Sequence, residues 1–266
     1  MPIGDFEAAV LRLLAANRNP DSFVGGATVL NATPDSPRFS QDVDIFHDAP
    51  AALQHAFDRD CATLRQAGYT VEAVGRAVPS FRRAMVTLGA QTTKLEWVQD
   101  SAFRFFPVQP DLQLGWRLDF WDAATNKVLA MAGRQKLRDF LDCLYLHQHH
   151  LHLGALVWAA AGKDPGLTPE FMLDWALRGN RFQAEDWAEV RLGVPLDPVA
   201  YKQAWVAAVH EARAMVKRWP AEAVGCFFLD ARGRPVVPDA DGTQIGQLRR
   251  HFGSVGGALA QVVDEA

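Results

Sequence analysis

Apolar side chains recur at helical spacing over residues 5–17, DFEAAVLRLLAAN, and the run stops at Arg-Asn-Pro, which predicts an opening helix. Ser22 to Val24 is short and apolar and runs into Gly25-Gly26. Ala27 to Asn31 then begins a second helix before the turn-rich Thr33-Pro34-Asp35-Ser36-Pro37. Asp42 to Phe46 alternates polar and apolar, residues 51–67 are helical in period, and Tyr69 to Val74, Phe81 to Leu88 and Thr92 to Val98 read as strands. The first 120 or so residues are thus α/β in texture, with strands mostly adjacent in sequence. From Asn126 onward nearly everything reads as helix, including a start at Thr168-Pro169, where threonine caps and proline fits the first helical position. Trp158, Trp175, Trp187, Trp205 and Trp219 are spread through this half and read as core filling, with a nucleobase-stacking role open for one of them. Phe227 to Leu229, polar Asp230 to Arg234 and Val236-Val237 suggest a small hairpin.

The predicted class is α+β: an α/β-type N-terminal half followed by a mainly helical C-terminal region. We place a core domain at residues 1–122 and a helical domain at 123–266, and expect the two to face each other across a cleft. Composition bounds the function. With 49% apolar and 22% charged residues the chain supports its own core, and a net charge of -4 argues against coating nucleic acid by bulk charge while leaving room for a local basic groove. Cys61, Cys143 and Cys226 are too far apart for a zinc pattern, and their odd number suits buried thiols in a reducing compartment. The longest small and apolar stretch, Leu151 to Gly162, is interrupted by His152 and falls short of the roughly 18 residues of a membrane span. No cationic leader precedes an apolar core, so the cytoplasm is the expected compartment and no membrane is expected as partner.

Candidate chemistry concentrates in a few segments. Asp42 and Asp44, two apart on a strand, project from one face while Val43 and Ile45 enter the core. Such a pair can hold a hard cation such as Mg²⁺ together with substrate phosphates; a solvated strand face is the alternative. Gly25-Gly26 after a strand leaves the backbone uncovered, which suits a phosphate cradle or an ordinary turn. Lys94 and Glu96 share a strand face, and Glu96 is either a third carboxylate, as metal ligand or base, or half of a cross-strand ion pair. Lys127, Arg134 and Arg138 would fall within about 20° of one another on a single helix, but Gly133 makes two helices meeting at a corner an equal alternative. Asp139 and Asp142 lie on one side of the second helix.

The segment FVGGATVLNATPDSPRFSQDVDIF, Phe23 to Phe46, resembles the first signature of the AbiEii/AbiGii toxin group of nucleotidyltransferases, within the DNA polymerase β-like superfamily. Lys127, Arg134, Arg138-Asp139 and Asp142 are similar to the second signature of that group, about 80 residues further on. The resemblance implies a nucleotidyltransferase-like mixed sheet flanked by helices. It makes Gly25 and Gly26 the phosphate turn, Asp42 and Asp44 the Mg²⁺ (or Mn²⁺) ligands, Lys127 a phosphate contact and Asp139 a catalytic or site-organising acid. Arg38 and Ser40 belong to the matched motif, with Ser40 steadying the turn into the metal-binding strand. Arg134 and Arg138 add positive charge near the phosphates, and Glu96 is the candidate for the acid that activates the nucleophile. The chain departs from the pattern at Ala27, where members often carry a hydroxyl; Thr28 follows one place later.

The activity implied is Mg-dependent transfer of a nucleoside monophosphate from a nucleoside triphosphate to an acceptor hydroxyl. RNA, transfer RNA in particular, is the first-choice acceptor, with Arg76, Arg82, Arg83 and Arg104 as candidates to line its approach; a protein hydroxyl or a small molecule stays open. The resemblance also implies a cognate antitoxin as partner. The alternative is a non-catalytic nucleotide- or RNA-binding module on a relict fold. A third reading, zinc held by His147 and His150 on one helix face, lacks a carboxylate or cysteine at ligand spacing.

Overall fold

The alternation at Asp42-Val43-Asp44-Ile45 becomes one strand with two chemistries, its odd positions buried and its even positions half-buried. The computed structural model describes residues 3–32, 36, 38–40, 42–193, 195–239 and 245–260, so the expected turn at 33–37 lies, apart from Ser36, outside the described residues. The chain divides into two units, residues 1–102 with 107–123, and residues 103–106 with 124–266.

The first unit carries α1 (Asp5–Leu14), β1 (Ser22–Val24), α2 (Gly26–Leu30), β2 (Asp42–His47), α3 (Pro50–Gln66), β3 (Thr70–Ala73), β4 (Phe81–Leu88) and β5 (Gln91–Gln99). After an excursion into the second unit at β6 (Phe103–Arg104) come β7 (Gln109–Asp111), β8 (Gly115–Arg117) and the start of α4 (Phe120–Gly133). A seven-stranded mixed sheet runs β3-β4-β5-β2-β1-β8-β7. Neighbours are antiparallel except β2 with β5 and β1 with β8. One face is apolar: Val43, Ile45, Ala84, Val86, Leu95 and Trp97 pack with Val10, Leu11 and Leu14 of α1 and Leu53 and Leu64 of α3. Period-2 patterning therefore leaves the polar residues of β2, β4 and β5 on the other face.

The second unit is mainly helical: the body of α4, then α5 (Leu137–His149), α6 (Leu153–Ala160), α7 (Pro169–Arg178), α8 (Ala184–Ala188) and α9 (Pro198–Val216). Of the two alternatives at Gly133, two helices are found, since α4 ends there and α5 begins at Leu137. Every residue of α6 is buried, as its LGALVWAA sequence demands, and α5, α7 and α9 pack against it. Thr168 caps α7, its hydroxyl accepting the N–H of Phe171, with Pro169 at the first helical position. Replacing Thr168 by alanine should cost about 1 kcal/mol, measured by urea denaturation.

The C-terminal hairpin needs correction. Asp230 to Arg234 does turn, but β9 (Cys226–Leu229) takes β10 (Arg249–Phe252) as its regular antiparallel partner, and the expected second strand contributes an isolated bridge, Leu229 to Pro235, and one further bond from the Val236 N–H. Proline has no N–H to donate, which limits the ladder there. β11 (Ser254–Val255) pairs with β6. All three cysteines are buried and free.

His47, at the end of β2, is fully buried with Nε2 3.0 Å from Ser22 Oγ. Burial, aided by the nearby Arg18 charge, lowers its pKa to about 4. The unfolded chain therefore binds the proton more tightly. The stability this neutral ring contributes is complete above about pH 6.5 and declines as pH falls toward 4, by roughly 3 kcal/mol. Urea midpoints of wild type and His47→Gln at pH 7.5 and 4.5 should differ by that component.

Candidate active site

β2, β4 and β5 bring a row of charged side chains to the polar face of the sheet. Asp42 stands opposite Lys94 and Asp44 opposite Glu96 across the parallel β2–β5 pair, while Arg83 stands opposite Glu96 on β4. Lys94 Nζ lies 3.0 Å from Asp42 Oδ1 and 3.2 Å from Glu96 Oε1. Arg83 donates to the same Oε1, at 2.8 Å from Nε and 2.7 Å from Nη2. The sequence placed Lys94 and Glu96 on one face but gave no sign of the Lys94–Asp42 contact, because β2 and β5 are not neighbours along the chain.

The glycine bend closes against this row. Gly26 has φ +61°, the left-handed region that glycine alone enters freely, and a Cβ built on it would stand 2.3 Å from Asp44 Oδ2. A Cβ on Gly25 would strike Phe46, and the Gly25 N–H donates to the Asp44 carbonyl at 3.0 Å. Both glycines are thus required by the close approach of the bend to β2. Behind the bend, Ser40 Oγ donates to the Asp42 carbonyl at 2.8 Å and Thr28 Oγ1 to the same oxygen at 3.4 Å. The hydroxyl after Ala27 is therefore committed to the β2 backbone. Arg38 is buried and donates to the Phe39 carbonyl. Gly26→Ala should cost about 1–2 kcal/mol for the left-handed backbone and displace the Asp44 carboxylate. The expected result is a chain that still melts cooperatively but at a lower temperature, read by thermal denaturation.

The second unit gathers the helical candidates. Lys127 Nζ, on α4, lies 2.8 Å from Asp139 Oδ1 and 3.1 Å from Asp142 Oδ2, both on α5. Arg134, in the link, donates to Asp139 from Nε at 2.8 Å and from Nη2 at 3.2 Å. Burial alone would raise the Asp139 pKa, but Lys127 and then Arg134 outweigh it and hold the carboxyl below its ordinary value. Asp139 stays ionised, a fixed anchor for the lysine. Lys127 and Arg134 therefore converge on one carboxylate across a corner, where a single helix would have made a stripe; Arg138 is half-buried.

The histidine expectation changes partners. His147 neighbours His152 and Glu211, their ligand-type atoms within 4.8 Å of one another, and is not paired with His150 in such a group. Both Nδ1 atoms accept backbone N–H groups at the start of α6, from Leu153 to His147 and from Gly154 to His152. Metal-bound histidines instead donate from the nitrogen that faces away from the metal. The rings serve as a helix cap. Trp158, Trp205 and Trp219 are buried; Trp187 lines a cleft of about 590 Å³ with Phe182, Tyr201 and Lys202. Of the arginines expected at an RNA approach, Arg104 is buried, Arg83 is engaged by Glu96, and Arg82 donates to Gln54 and the Val78 carbonyl. Among the described residues no helix is long and apolar enough to cross a membrane.

A seven-stranded mixed sheet of this kind, followed by a mainly helical region, is a nucleotidyltransferase-like fold. The structure is similar to MenT4, a nucleotidyltransferase toxin from Mycobacterium tuberculosis H37Rv, with a TM-score of 0.56 and 17% identity over 82% of this chain and 83% of that one. It is also similar to a protein from H. pylori described as a candidate nucleotidyltransferase, with a TM-score of 0.50 and 18% identity over 80% of this chain and 93% of that one. Among curated proteins none matches. Residues 11–207 match the family model for the nucleotidyl transferase AbiEii toxin of type IV toxin–antitoxin systems, and the chain belongs to that family. It is a nucleotidyltransferase toxin, and membership of the family implies a nucleotide substrate and a cognate antitoxin.

Proposed function

We propose that the chain transfers a nucleoside monophosphate from a nucleoside triphosphate to a hydroxyl of RNA, with transfer RNA as the first acceptor to test. The observation that carries this reading is the close approach of the Gly25-Gly26 bend to Asp44: the surface able to receive phosphates lies beside the carboxylate able to hold their cation. Two hard oxygen donors on one strand face, beside a glycine backbone with no side chain in the way, fit Mg²⁺ or Mn²⁺. Bound there, the ion would neutralise charge on the phosphates and lower the barrier to attack.

The remaining roles belong to the chain. Gly25 and Gly26 admit the phosphates, Asp42 and Asp44 hold the cation, and Ser40 fixes the backbone of Asp42. Lys127 carries a fixed positive charge, oriented by Asp139 and Asp142, with Arg134 clamping Asp139 from the other side. On this reading the core domain spans 1–122 and the helical domain 123–266. Glu96 anchors Lys94 and is itself held by Arg83. The in-line displacement needs no covalent enzyme intermediate: the acceptor oxygen bonds the α-phosphorus and pyrophosphate leaves.

The test is incubation of the purified protein with Mg²⁺, each α-labelled triphosphate in turn, and total RNA. Label is expected in RNA with one triphosphate preferred. Label on protein would move the acceptor class, and triphosphate binding without transfer to any acceptor would overturn the reading in favour of a binding module.

A further inference from the structure

Four charges alternate in sign across three adjacent strands: Arg83 on β4, Glu96 and Lys94 on β5, and Asp42 on β2. Each neighbour contact is short, with Arg83 to Glu96 at 2.7 Å, Glu96 to Lys94 at 3.2 Å and Lys94 to Asp42 at 3.0 Å. The last contact puts an ammonium on a carboxylate that the proposed function assigns to a divalent cation. Two cations bonded to one carboxylate oxygen repel each other, so the second enters only as the first withdraws.

We propose that Lys94 is the resident counter-ion of Asp42 and sets the divalent-metal affinity of the site by competing for that carboxylate. The inference deepens the reading of Asp42 and Asp44 as metal ligands and rests on it. Lys94 has somewhere to go: Glu96 Oε1 already accepts from it, and Arg83 fixes Glu96 in turn, so the ammonium can lean toward β5 without losing every partner. Glu96 and Arg83 are positioning residues. The lysine side chain is 29% exposed, enough for that movement to leave its charge in contact with water. In this account the lysine keeps the two aspartates from repelling each other while no metal is bound, and makes the site selective for ions that out-compete an ammonium, which excludes monovalent cations.

A different role predicts the opposite sign. If Lys94 merely pinned β2 to β5, its removal would misplace Asp42 and weaken metal binding. The experiment is Mn²⁺ titration of the full chain without nucleotide, read by the electron paramagnetic resonance signal of the unbound ion. Lys94→Met is expected to bind Mn²⁺ roughly tenfold more tightly than wild type, the change expected for removing one positive charge a few ångströms from a divalent ion in a partly hydrated site. Lys94→Arg, which keeps the charge, should stay within about twofold of wild type. Unchanged or weaker binding by Lys94→Met overturns the proposal, provided circular dichroism shows it folded; if it is not, Lys94→Gln takes its place under the same criteria. Asp42→Asn separates this failure from failure of the metal reading. If wild type, Lys94→Met and Asp42→Asn bind Mn²⁺ alike, the aspartates are not ligands and both ideas fall. If Asp42→Asn abolishes binding while Lys94→Met leaves it unchanged, only the competition falls.

Discussion

Asp44→Asn is expected to lower nucleotidyl transfer by about 10³-fold or more while leaving the chain folded, because losing charge stabilisation worth several kcal/mol costs a factor of ten for each 1.4 kcal/mol. The substitution is nearly isosteric and sits on the half-buried face of β2, so it opens no cavity in the apolar layer. The hydrogen bond that ties the glycine bend to this residue uses the Asp44 main-chain carbonyl, which asparagine retains. What changes is charge: a neutral amide offers one weak oxygen where the carboxylate offered two charged ones. Initial rates with saturating triphosphate, alongside thermal melts, separate the effects. A melt within a few degrees of wild type with transfer abolished supports the assignment. A loss of less than tenfold would remove Asp44 from the site and leave the glycine bend as an ordinary turn.

Much of this arrangement is legible in the sequence, and the reason is periodicity. Strands β2, β4 and β5 have clear boundaries because one face of each is apolar, so side-chain alternation marks both where the strand lies and which way Asp42, Asp44, Lys94 and Glu96 point. The bend at Gly133 was visible as two alternatives, which Lys127 and Arg134 resolve by meeting on Asp139 around a corner. Three-residue strands defeat this reasoning. β7 and β8 contain Pro110 and Gly115 and show too few positions to display a period, yet they extend the sheet beyond β1. Parallel partnership was equally hidden. The Lys94–Asp42 contact depends on β5 lying beside β2, a neighbour relation that crosses α3 and two strands and leaves no local mark. Signs of charge along each strand could be read, but which charges would neutralise which could not.

The largest effect on stability is expected at a residue that the chemistry does not touch. Asp60, on α3, is completely buried and gathers donors from three directions: Arg18 Nη2 at 2.6 Å and Trp97 Nε1 at 2.8 Å to Oδ2, and Asn17 Nδ2 at 2.9 Å to Oδ1. Arg18 is as deeply enclosed, its side chain 1% exposed, and burial lowers its pKa against the raising effect of Asp60. Asp60→Ala leaves a buried guanidinium with no counter-charge and an indole N–H with no acceptor, and should cost about 3–5 kcal/mol in urea denaturation. Most of that cost is the penalty of the stranded cation, so the double substitution Asp60→Ala with Arg18→Met should be markedly more stable than Asp60→Ala alone; losses that simply add would show that the pair is not coupled. The consequence reaches the site through Trp97, which lies one residue beyond Glu96 on β5 and faces the core where Glu96 faces the charged row. Releasing its indole loosens β5 from beneath, so Asp60→Ala should lose transfer activity at a lower temperature than wild type, in parallel with its unfolding and with no change in metal preference.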